Sequence, residues 1–253
     1  MNVLMINGSP NAKGCTFTAL TEIGKTLQEQ NIDYEIMQLG KQPIRDCINC
    51  NRCHGEGCIF DDDMVNEFIQ KAKDADGFVF GTPVYYAHPS GRLLSFLDRA
   101  FYSSASSRIY KPFQFKPAAA IASARRAGTT ASIDVINKYF SIAMMPIVSS
   151  TYWNMVHGLT PEDVMQDKEG LQTMRNNVLH VQNNTIFHNL NLMLQTPPIS
   201  FTKSNQKNPL HGQLPCRGFL YDEIISRHSK NTFYVVLYQQ LLIHVLRLND
   251  GKL

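Results

Sequence analysis

The sequence lacks a large excess of charge of either sign. Its 253 residues include 24 Lys and Arg against 21 Asp and Glu, so the formal net charge is +3. A surface that binds the phosphates of nucleic acid usually carries a much larger basic excess. With 43% hydrophobic and 18% charged residues, the composition instead indicates a globular protein that does not bind nucleic acid.

The sequence also lacks a hydrophobic run that is long enough to cross a membrane. The most apolar stretch, residues 232–248, is interrupted by two Gln, a His and an Arg, whereas a membrane span needs about 20 predominantly apolar residues. The apolar residues 1–6 have no basic flank before them and no small-residue cleavage site after them, unlike a signal peptide. We therefore expect a cytoplasmic protein without a membrane partner.

Cysteine is scarce, and most of it is concentrated in one segment. Four of the six cysteines are Cys47, Cys50, Cys53 and Cys58, which are spaced too tightly for the disulfide framework of a secreted domain. Two consecutive two-residue gaps can wrap a chain around one metal centre, as in the ligation of a 4Fe-4S cluster. The spacing therefore favours a cluster, with a tetrahedral zinc site or free structural thiols as the alternatives.

Short apolar segments alternate with segments of helical periodicity along the first 175 residues. Parallel neighbouring strands need crossover helices, so this alternation predicts a doubly wound, five-stranded parallel α/β sheet with helices on both faces. The predicted strands are residues 2–7, 32–39, 77–81, 117–124 and 144–149, and the predicted helices include residues 16–31, 129–140 and 160–174.

The segment from Gly8 to Gly14 connects the first predicted strand to the first predicted helix. A helix N-terminus carries partial positive charge and unpaired N–H donors, which attract a phosphate group. The hydroxyls of Ser9 and Thr16, together with Lys13, can add to such a site. The segment lacks the GxxxxGK[ST] and GxGxxG patterns of nucleotide-binding loops. A phosphate site is thus predicted, and the alternative is a capped helix without a ligand.

Two further loops follow the third and fourth predicted strands, at residues 82–91 and 123–130. Ligands of open α/β sheets bind outside the carboxyl ends of the strands, so all three loops are expected to converge on one molecule. The first of these two loops offers aromatic side chains suited to a flat heteroaromatic ring. The second offers arginines and N–H donors suited to an electron-rich ring edge.

The segments GSPNAKGCT, GTPVYYAHPSG and SARRAGTT resemble the corresponding loops of flavodoxin-like NAD(P)H-dependent FMN reductases, specifically the iron-sulfur flavoprotein branch. The likeness extends from Met1 to about Met174 and includes the compact cysteine motif. By matching positions, the resemblance implies that the phosphate of FMN is contacted by Ser9, Lys13, Cys15 and Thr16. It implies that the isoalloxazine ring lies along Pro83, Val84, Tyr85 and Tyr86. The residues implied beside the ring are Ser123, Arg125, Arg126 and Gly128.

The resemblance implies an FMN-containing oxidoreductase that uses NAD(P)H and a small-molecule or protein electron acceptor. The flavin performs the chemistry, so no catalytic side chain is predicted. The alternatives are a pure electron carrier that uses FMN and a 4Fe-4S cluster, and a zinc-bearing structural module. The family ordinarily forms homodimers or homotetramers, and Trp153, Asn154 and His157 match a segment that we place near the subunit interface; the alternative for these three residues is a plain packing role.

The likeness ends near residue 175, and the composition changes there. Residues 176–253 contain ten Asn and five His but only three acidic residues. We therefore predict an FMN-binding domain at residues 1–175, with a Cys-rich insertion at residues 47–58, followed by an atypical, poorly ordered tail. The tail is either an added segment for oligomer contacts or a segment translated in a shifted frame.

Overall fold

A computed structural model of the chain describes residues 1–53, 55, 57–106 and 109–178. The predicted tail lies outside the described residues, apart from residues 176–178. The strands are β1 (Asn2–Asn7), β2 (Asp33–Gln38), β3 (Gly77–Tyr85), β4 (His88–Pro89), β5 (Ala105–Ser106), β6 (Ile109–Tyr110), β7 (Ala118–Ala124) and β8 (Met155–His157), and the helices are α1 (Cys15–Glu29), α2 (Val65–Asp74), α3 (Gly91–Ser104), α4 (Thr129–Ile142) and α5 (Pro161–Gln166).

The main sheet has the strand order β2-β1-β3-β7-β8, and all of these neighbouring strands are parallel. Counted along the chain, these five strands have the order 2-1-3-4-5, which is that of flavodoxin-like folds. The short strand β4 pairs with β3 in an antiparallel hairpin and is the sixth strand of the sheet. The predicted doubly wound fold is therefore confirmed, with this hairpin as an addition.

The sheet separates two hydrophobic clusters, because alternate residues of a strand point to opposite faces. In β1, Leu4 and Ile6 belong to the cluster beneath α2, α3 and α4. Val3 and Met5 of the same strand belong to the cluster beneath α1 and α5. All four side chains are 1% exposed or less, which explains why β1 is an unbroken apolar run rather than an alternating one.

The predicted fifth strand, residues 144–149, is wrong in position. This segment makes only an isolated bridge between Ile147 and Ala118, and the fifth parallel strand is β8, beside the end of β7. Pro146 has no N–H to contribute to a ladder, and Met144 has a positive φ of 57°. The apolar residues here therefore pack along the sheet without forming a continuous strand.

The predicted helix over residues 160–174 begins as expected but is interrupted. Thr160 and Asp163 form a reciprocal capping box, with Pro161 in the first turn of α5. The helix ends at Gln166, and residues 168–178 form a separate helical segment. Asp167 causes the break, since its carboxylate accepts hydrogen bonds from the N–H groups of His157 at 2.7 Å and Gly170 at 2.9 Å.

No helix within the described ranges has both the length and the apolar character needed to cross a bilayer.

Candidate functional site

Three loops meet at the carboxyl ends of the central strands. We call residues 8–14 the first loop, residues 82–91 the second loop and residues 123–130 the third loop; they lie at the carboxyl ends of β1, β3 and β7, and the second and third loops include the last residues of β3 and β7, because β3 extends beyond the predicted strand at residues 77–81. The N–H of Gly8 donates to the carbonyl of Gly81 at 2.8 Å, and the Ser90 hydroxyl donates to the Gly8 carbonyl at 2.9 Å. The Thr16 and Ser123 hydroxyls are 2.8 Å apart. The loops therefore form one continuous surface, as the sequence pattern predicted.

The first loop delivers an open helix N-terminus to this surface. Gly14 precedes α1, and no side chain among the described residues caps the helix. The first turn contains no acidic residue, so no carboxylate of the helix itself neutralises its N–H donors and partial positive charge. The side chain of Lys13 is exposed next to this turn. The arrangement is suited to an anionic group such as a phosphate.

Two amides hold the first loop in place, the buried Asn7 and the half-buried Gln38, and neither was predicted from the sequence. Asn7 is fully buried at the end of β1 and accepts the N–H of Ser9 at 3.1 Å. Its Nδ2 donates to Oε1 of Gln38 at 2.5 Å, and Nε2 of Gln38 donates to the carbonyl of Ser9 at 2.6 Å. A polar residue that ends an otherwise apolar strand is the signal that could have pointed to Asn7.

The predicted phosphate contacts of the first loop differ in accessibility. The side chain of Lys13 is exposed, whereas Ser9 is 4% exposed and Thr16 is 1% exposed. The Ser9 hydroxyl accepts the N–H of Asn11 at 3.1 Å, and the Thr16 hydroxyl contacts Ser123. Both hydroxyls therefore also serve to hold the loops together.

Cys15, the first residue of α1, has its thiol 3.7 Å from the carbonyl of Gly158. Burial is the main cause that raises the pKa of the Cys15 thiol, and the carboxylates of Asp163 and Glu162 add to this effect. The thiol consequently remains neutral near pH 7. It does not place a negative charge at the helix N-terminus that would repel an anion.

The second loop is a hairpin with an aromatic tip. Tyr86 and Ala87 form its two-residue turn, and both have positive φ values, 49° and 61°. This is the backbone shape of a type I′ turn, which Asn-Gly normally provides. Tyr85 is 49% exposed, and the side chain of Tyr86 is entirely exposed. Pro83 and Val84 are half-buried at the base of the hairpin, so the hairpin exposes two tyrosine side chains while its base is hydrogen-bonded to the first loop through Ser90.

The third loop packs directly against this hairpin through Gly128. Gly128 has a φ of 96°, and a Cβ at this position would lie 2.5 Å from Cα of Ala87. Only glycine therefore fits this backbone contact. Ser123 lies at the buried base of the third loop, while the side chains of Arg125 and Arg126 are exposed. Two cationic groups are thus available at the rim of the surface.

The four clustered cysteines lie in an irregular segment between β2 and α2. Within the described residues all four thiols are free of disulfide bonds and partly buried. They line one narrow concavity of about 10 Å³. Asn49 and Asn51 have positive φ values of 51° and 55°, which turn the chain between successive cysteines. These two turns bring Cys47, Cys50 and Cys53 to the concavity that Cys58 also lines.

Burial is the main cause that raises the pKa of the Cys53 thiol, and the neighbouring thiols Cys58, Cys50 and Cys47 contribute. In the part of the chain that the structure describes, no group of three or more His, Cys, Asp or Glu is arranged closely enough to hold a metal ion. The thiols would need to approach one another to share one centre. As a set of donors, four thiols fit an iron-sulfur cluster better than a hard cation.

The predicted interface residues lie near β8. Trp153 is 56% exposed and its ring is 4.8 Å from that of Tyr152. Both aromatics line a cavity of about 300 Å³ next to α4, together with Asn154. Asn154 itself is 5% exposed, and Nδ1 of His157 is 3.9 Å from the Asp167 carboxylate. An exposed aromatic pair thus stands beside a buried amide at this edge of the sheet.

Residues 1–160 match the family model described as NADPH-dependent FMN reductase. The chain therefore belongs to the NADPH-dependent FMN reductase family, and it is an FMN-binding oxidoreductase. Both the fold and the loop arrangement described above agree with this class, which the sequence resemblance had predicted.

Within this family, the curated relatives indicate the branch. The chain is 34% identical over 186 residues to an iron-sulfur flavoprotein of Methanocaldococcus jannaschii, which covers 70% of this chain and 93% of the relative. It is 29% identical over 186 residues to a second iron-sulfur flavoprotein of that organism, which covers 69% of this chain and 92% of the relative. These relatives place the chain in the iron-sulfur flavoprotein branch.

Solved structures agree with the fold. A flavone reductase aligns with a TM-score of 0.56 at 14% identity and covers 74% of this chain and 64% of its own. An NAD(P)H:quinone oxidoreductase from Methanothermobacter marburgensis aligns with a TM-score of 0.55 at 15% identity and covers 72% of this chain and 97% of its own. At these identities the likeness concerns the fold alone.

Proposed function

We propose that the domain at residues 1–175 takes electrons from NAD(P)H through FMN and passes them to a 4Fe-4S cluster and then to a small-molecule or protein acceptor. One observation carries this proposal: the open N-terminus of α1 and the aromatic hairpin form one surface in a member of the FMN reductase family. FMN, when bound, supplies the hydride and electron chemistry, while the protein binds, orients and excludes water.

In this proposal the first loop binds the phosphate of FMN. Lys13 and the free N–H groups of the first turn of α1 supply positive charge and hydrogen-bond donors. The Ser9 and Thr16 hydroxyls add hydrogen-bond donors for the phosphate oxygens. The Cys15 thiol is neutral and therefore does not repel the phosphate.

The second and third loops hold the flavin ring. Pro83, Val84, Tyr85 and Tyr86 lie along one side of it, and their backbone is already fixed by the hairpin. Ser123, Arg125, Arg126 and Gly128 lie beside it, and the two guanidinium groups stabilise negative charge on the reduced ring. No side chain is assigned as a general acid or base.

We propose that Cys47, Cys50, Cys53 and Cys58 ligate the 4Fe-4S cluster. The shared concavity and the iron-sulfur flavoprotein relatives support this assignment. A cytoplasmic location is proposed with it, because closely spaced thiols need a reducing compartment to remain available as ligands.

Flavin binding is tested on purified full-length protein by releasing and identifying the cofactor and by anaerobic titration with NADPH or NADH. We expect FMN, bleached by one of the two nucleotides. Bleaching only by a reduced partner protein would instead indicate an electron carrier, and colourless protein containing zinc would indicate a structural module.

The phosphate assignment is tested by Lys13→Ala and Ser9→Ala, which are expected to lower the amount of FMN that co-purifies. The control is Lys25→Ala, because Lys25 is an exposed lysine of α1 that lies well beyond the first turn of the helix. Equal FMN content in all four proteins would contradict the assignment.

The cluster is tested by anaerobic iron and acid-labile sulfide analysis, for which we expect four of each per chain. Replacing Cys50 by Ser should lower the iron content, while replacing Cys15 by Ser should leave it unchanged. Stoichiometric zinc with no sulfide would overturn the cluster assignment and leave the flavin assignment standing.

A further inference from the structure

Arg99 is a fully buried arginine beside the cysteine concavity. Its side chain is 1% exposed on α3, and arginine is almost never fully buried without partners. Its Nε donates to Sγ of Cys58 at 3.3 Å, and Nη2 donates to the Phe60 carbonyl at 3.1 Å. Its Nη1 forms an ion pair with the carboxylate of Asp63, which is 7% exposed. The guanidinium also lies over the Phe60 ring, 5.5 Å from its centroid.

Stabilising the fold does not by itself explain why this ion pair is buried. Removing two charges from water costs several kcal/mol, and apolar side chains of the same volume often stabilise a protein equally well or better. The pair would be replaceable by an apolar contact if packing were its whole role. However, one N–H of the guanidinium points at the sulfur of a proposed cluster ligand, and the side chain lines the concavity that all four thiols share.

The backbone around Cys58 is fixed independently of Arg99. The N–H of Cys58 donates to Oδ1 of Asn66 at 2.8 Å, and Nδ2 of Asn66 donates to the Cys58 carbonyl at 2.8 Å. The position of the ligand is therefore held from α2. What Arg99 adds is a hydrogen bond to the sulfur and a positive charge in a region shielded from water.

We propose that Arg99 is a positioning residue that raises the reduction potential of the cluster, and that Asp63 partly offsets this effect. This inference rests on the proposed function, because it requires the cluster. When one electron from reduced FMN enters the cluster, its negative charge rises by one and no bond is formed or broken. A buried cation and an N–H donated to a ligand sulfur both stabilise the more negative state.

Asp63 allows the charge to be changed with little change of shape. Its Oδ1 accepts the N–H of Val65 at 3.1 Å at the start of α2, while Oδ2 pairs with Arg99. Asn accepts such a hydrogen bond about as well as Asp at a helix start. Asp63→Asn therefore removes the balancing charge and the acceptor of Arg99 Nη1 but retains the local backbone contact, while Arg99 still has the Cys58 sulfur and the Phe60 carbonyl as acceptors.

The experiment is an anaerobic redox titration of the cluster-loaded, FMN-loaded protein, followed by electron paramagnetic resonance. At the wild-type midpoint potential, where half of the cluster is reduced, we expect Arg99→Met to be less than half reduced and Asp63→Asn to be more than half reduced. Arg99→Lys retains the positive charge but not the planar guanidinium group, so its reduced fraction at this potential should lie between those of wild type and Arg99→Met.

The matched control is Arg45→Gln. Arg45 also lies over Phe60, 5.3 Å from the ring centroid, but it and its partner Asp62 have side chains 57% and 53% exposed. Solvent and salt screen such an exposed pair. We therefore expect the midpoint potential of Arg45→Gln to equal that of wild type.

Opposite shifts for Arg99→Met and Asp63→Asn support the inference, since a general loosening of the fold would move both in the same direction. Unchanged midpoints, or shifts of the same sign, in variants with full iron and sulfide content would overturn it. If Arg99→Met does not fold, Asp63→Asn alone decides by the direction of its shift. Wild-type protein that cannot be loaded with iron and sulfide would overturn the proposed function as well, and the iron analysis separates the two failures.

Discussion

At the scale of single residues, the candidate FMN site depends on one backbone contact that admits no side chain. Gly128 presses against Ala87 and has a φ that L residues rarely adopt. Strain of this kind usually costs about 1–3 kcal/mol when a side chain is forced into it. The third loop would have to move away from the hairpin to relieve the clash.

We predict that Gly128→Ala lowers the free energy of unfolding by roughly 1–3 kcal/mol and weakens FMN binding. Urea unfolding and FMN titration measure the two effects. Gly91→Ala is the control, because a Cβ at Gly91, in the first turn of α3, would meet no atom within 4 Å. Similar losses in both variants would mean that the contact with Ala87 is not the cause.

Gln38 is a second residue at which a single change should be informative. Its amide holds the first loop through Ser9 and Asn7, and an unpaired buried polar group costs about 1–3 kcal/mol. We predict that Gln38→Met reduces FMN affinity and stability, whereas Gln28→Met, at an exposed glutamine of α1, changes neither. FMN titration by fluorescence quenching and thermal melting provide the measurements. Wild-type FMN affinity in Gln38→Met would contradict the role of this amide.

At the scale of elements, α3 and α4 are joined by one polar contact above the core. The Tyr139 hydroxyl donates to Oδ1 of Asp98 at 2.5 Å. Burial is the main cause that raises the pKa of the Tyr139 phenol, and the Asp98 carboxylate raises it further. The folded protein therefore keeps this proton at pH values where the unfolded chain, with a tyrosine pKa of about 10, loses it.

The sign of the resulting pH dependence follows from linkage. The folded state binds more protons than the unfolded state above about pH 10, so the stability from this contact is present below that pH and is lost as pH rises above it. We predict that the unfolding free energy falls more steeply above about pH 10 in wild type than in Tyr139→Phe. Tyr152→Phe, at an exposed tyrosine, should follow the wild-type curve; parallel curves for all three proteins would refute the prediction.

The presence of these helices and strands was predictable from the sequence, because it depends on local periodicity. The buried run of β1, the helical spacing of α1 and the capping residues of α5 all lie within a few residues of the structure they form. The interruption at Asp167 was not predictable in this way, because it depends on a carboxylate that also binds the backbone of β8. The displaced fifth strand has the same kind of cause, since Ile147 and Met155 pair with opposite ends of β7.

The candidate site was predictable only as far as its loops. Topology brings the carboxyl ends of parallel strands together, so their convergence follows from the strand order. The side chains that hydrogen-bond the loops in place were not predictable from the strand order. Asn7 and Gln38 are 31 residues apart, and Arg99 and Cys58 are 41 residues apart. No local pattern records which distant side chain completes such a hydrogen bond.

At the scale of the whole molecule, the predicted homodimer or homotetramer can be followed with one intrinsic probe. Trp153 is the single tryptophan of the chain, and it is 56% exposed beside Tyr152. An interface at this edge of the sheet would remove the indole from water. The tryptophan emission of the protein therefore reports on this surface.

We predict that the Trp153 emission shifts to shorter wavelength, and that quenching by acrylamide weakens, as the protein concentration rises through the association range. Light scattering coupled to size exclusion gives the oligomeric state at the same concentrations. A dimer that leaves emission and quenching unchanged would place the interface elsewhere on the protein.

The end of β2 bears on both proposed cofactors. Gln38 holds the first loop, and Cys47 follows nine residues after Gln38, beyond Gly40. Arg92 of α3 donates to the carbonyls of Lys41 and Gln42, so this connection is bound to α3 close to the end of β2. Any rearrangement that draws the thiols together pulls on the strand end that supports the flavin loop. Preparations of the protein that are poor in iron should therefore also be poor in flavin, and the two contents should rise together on reconstitution.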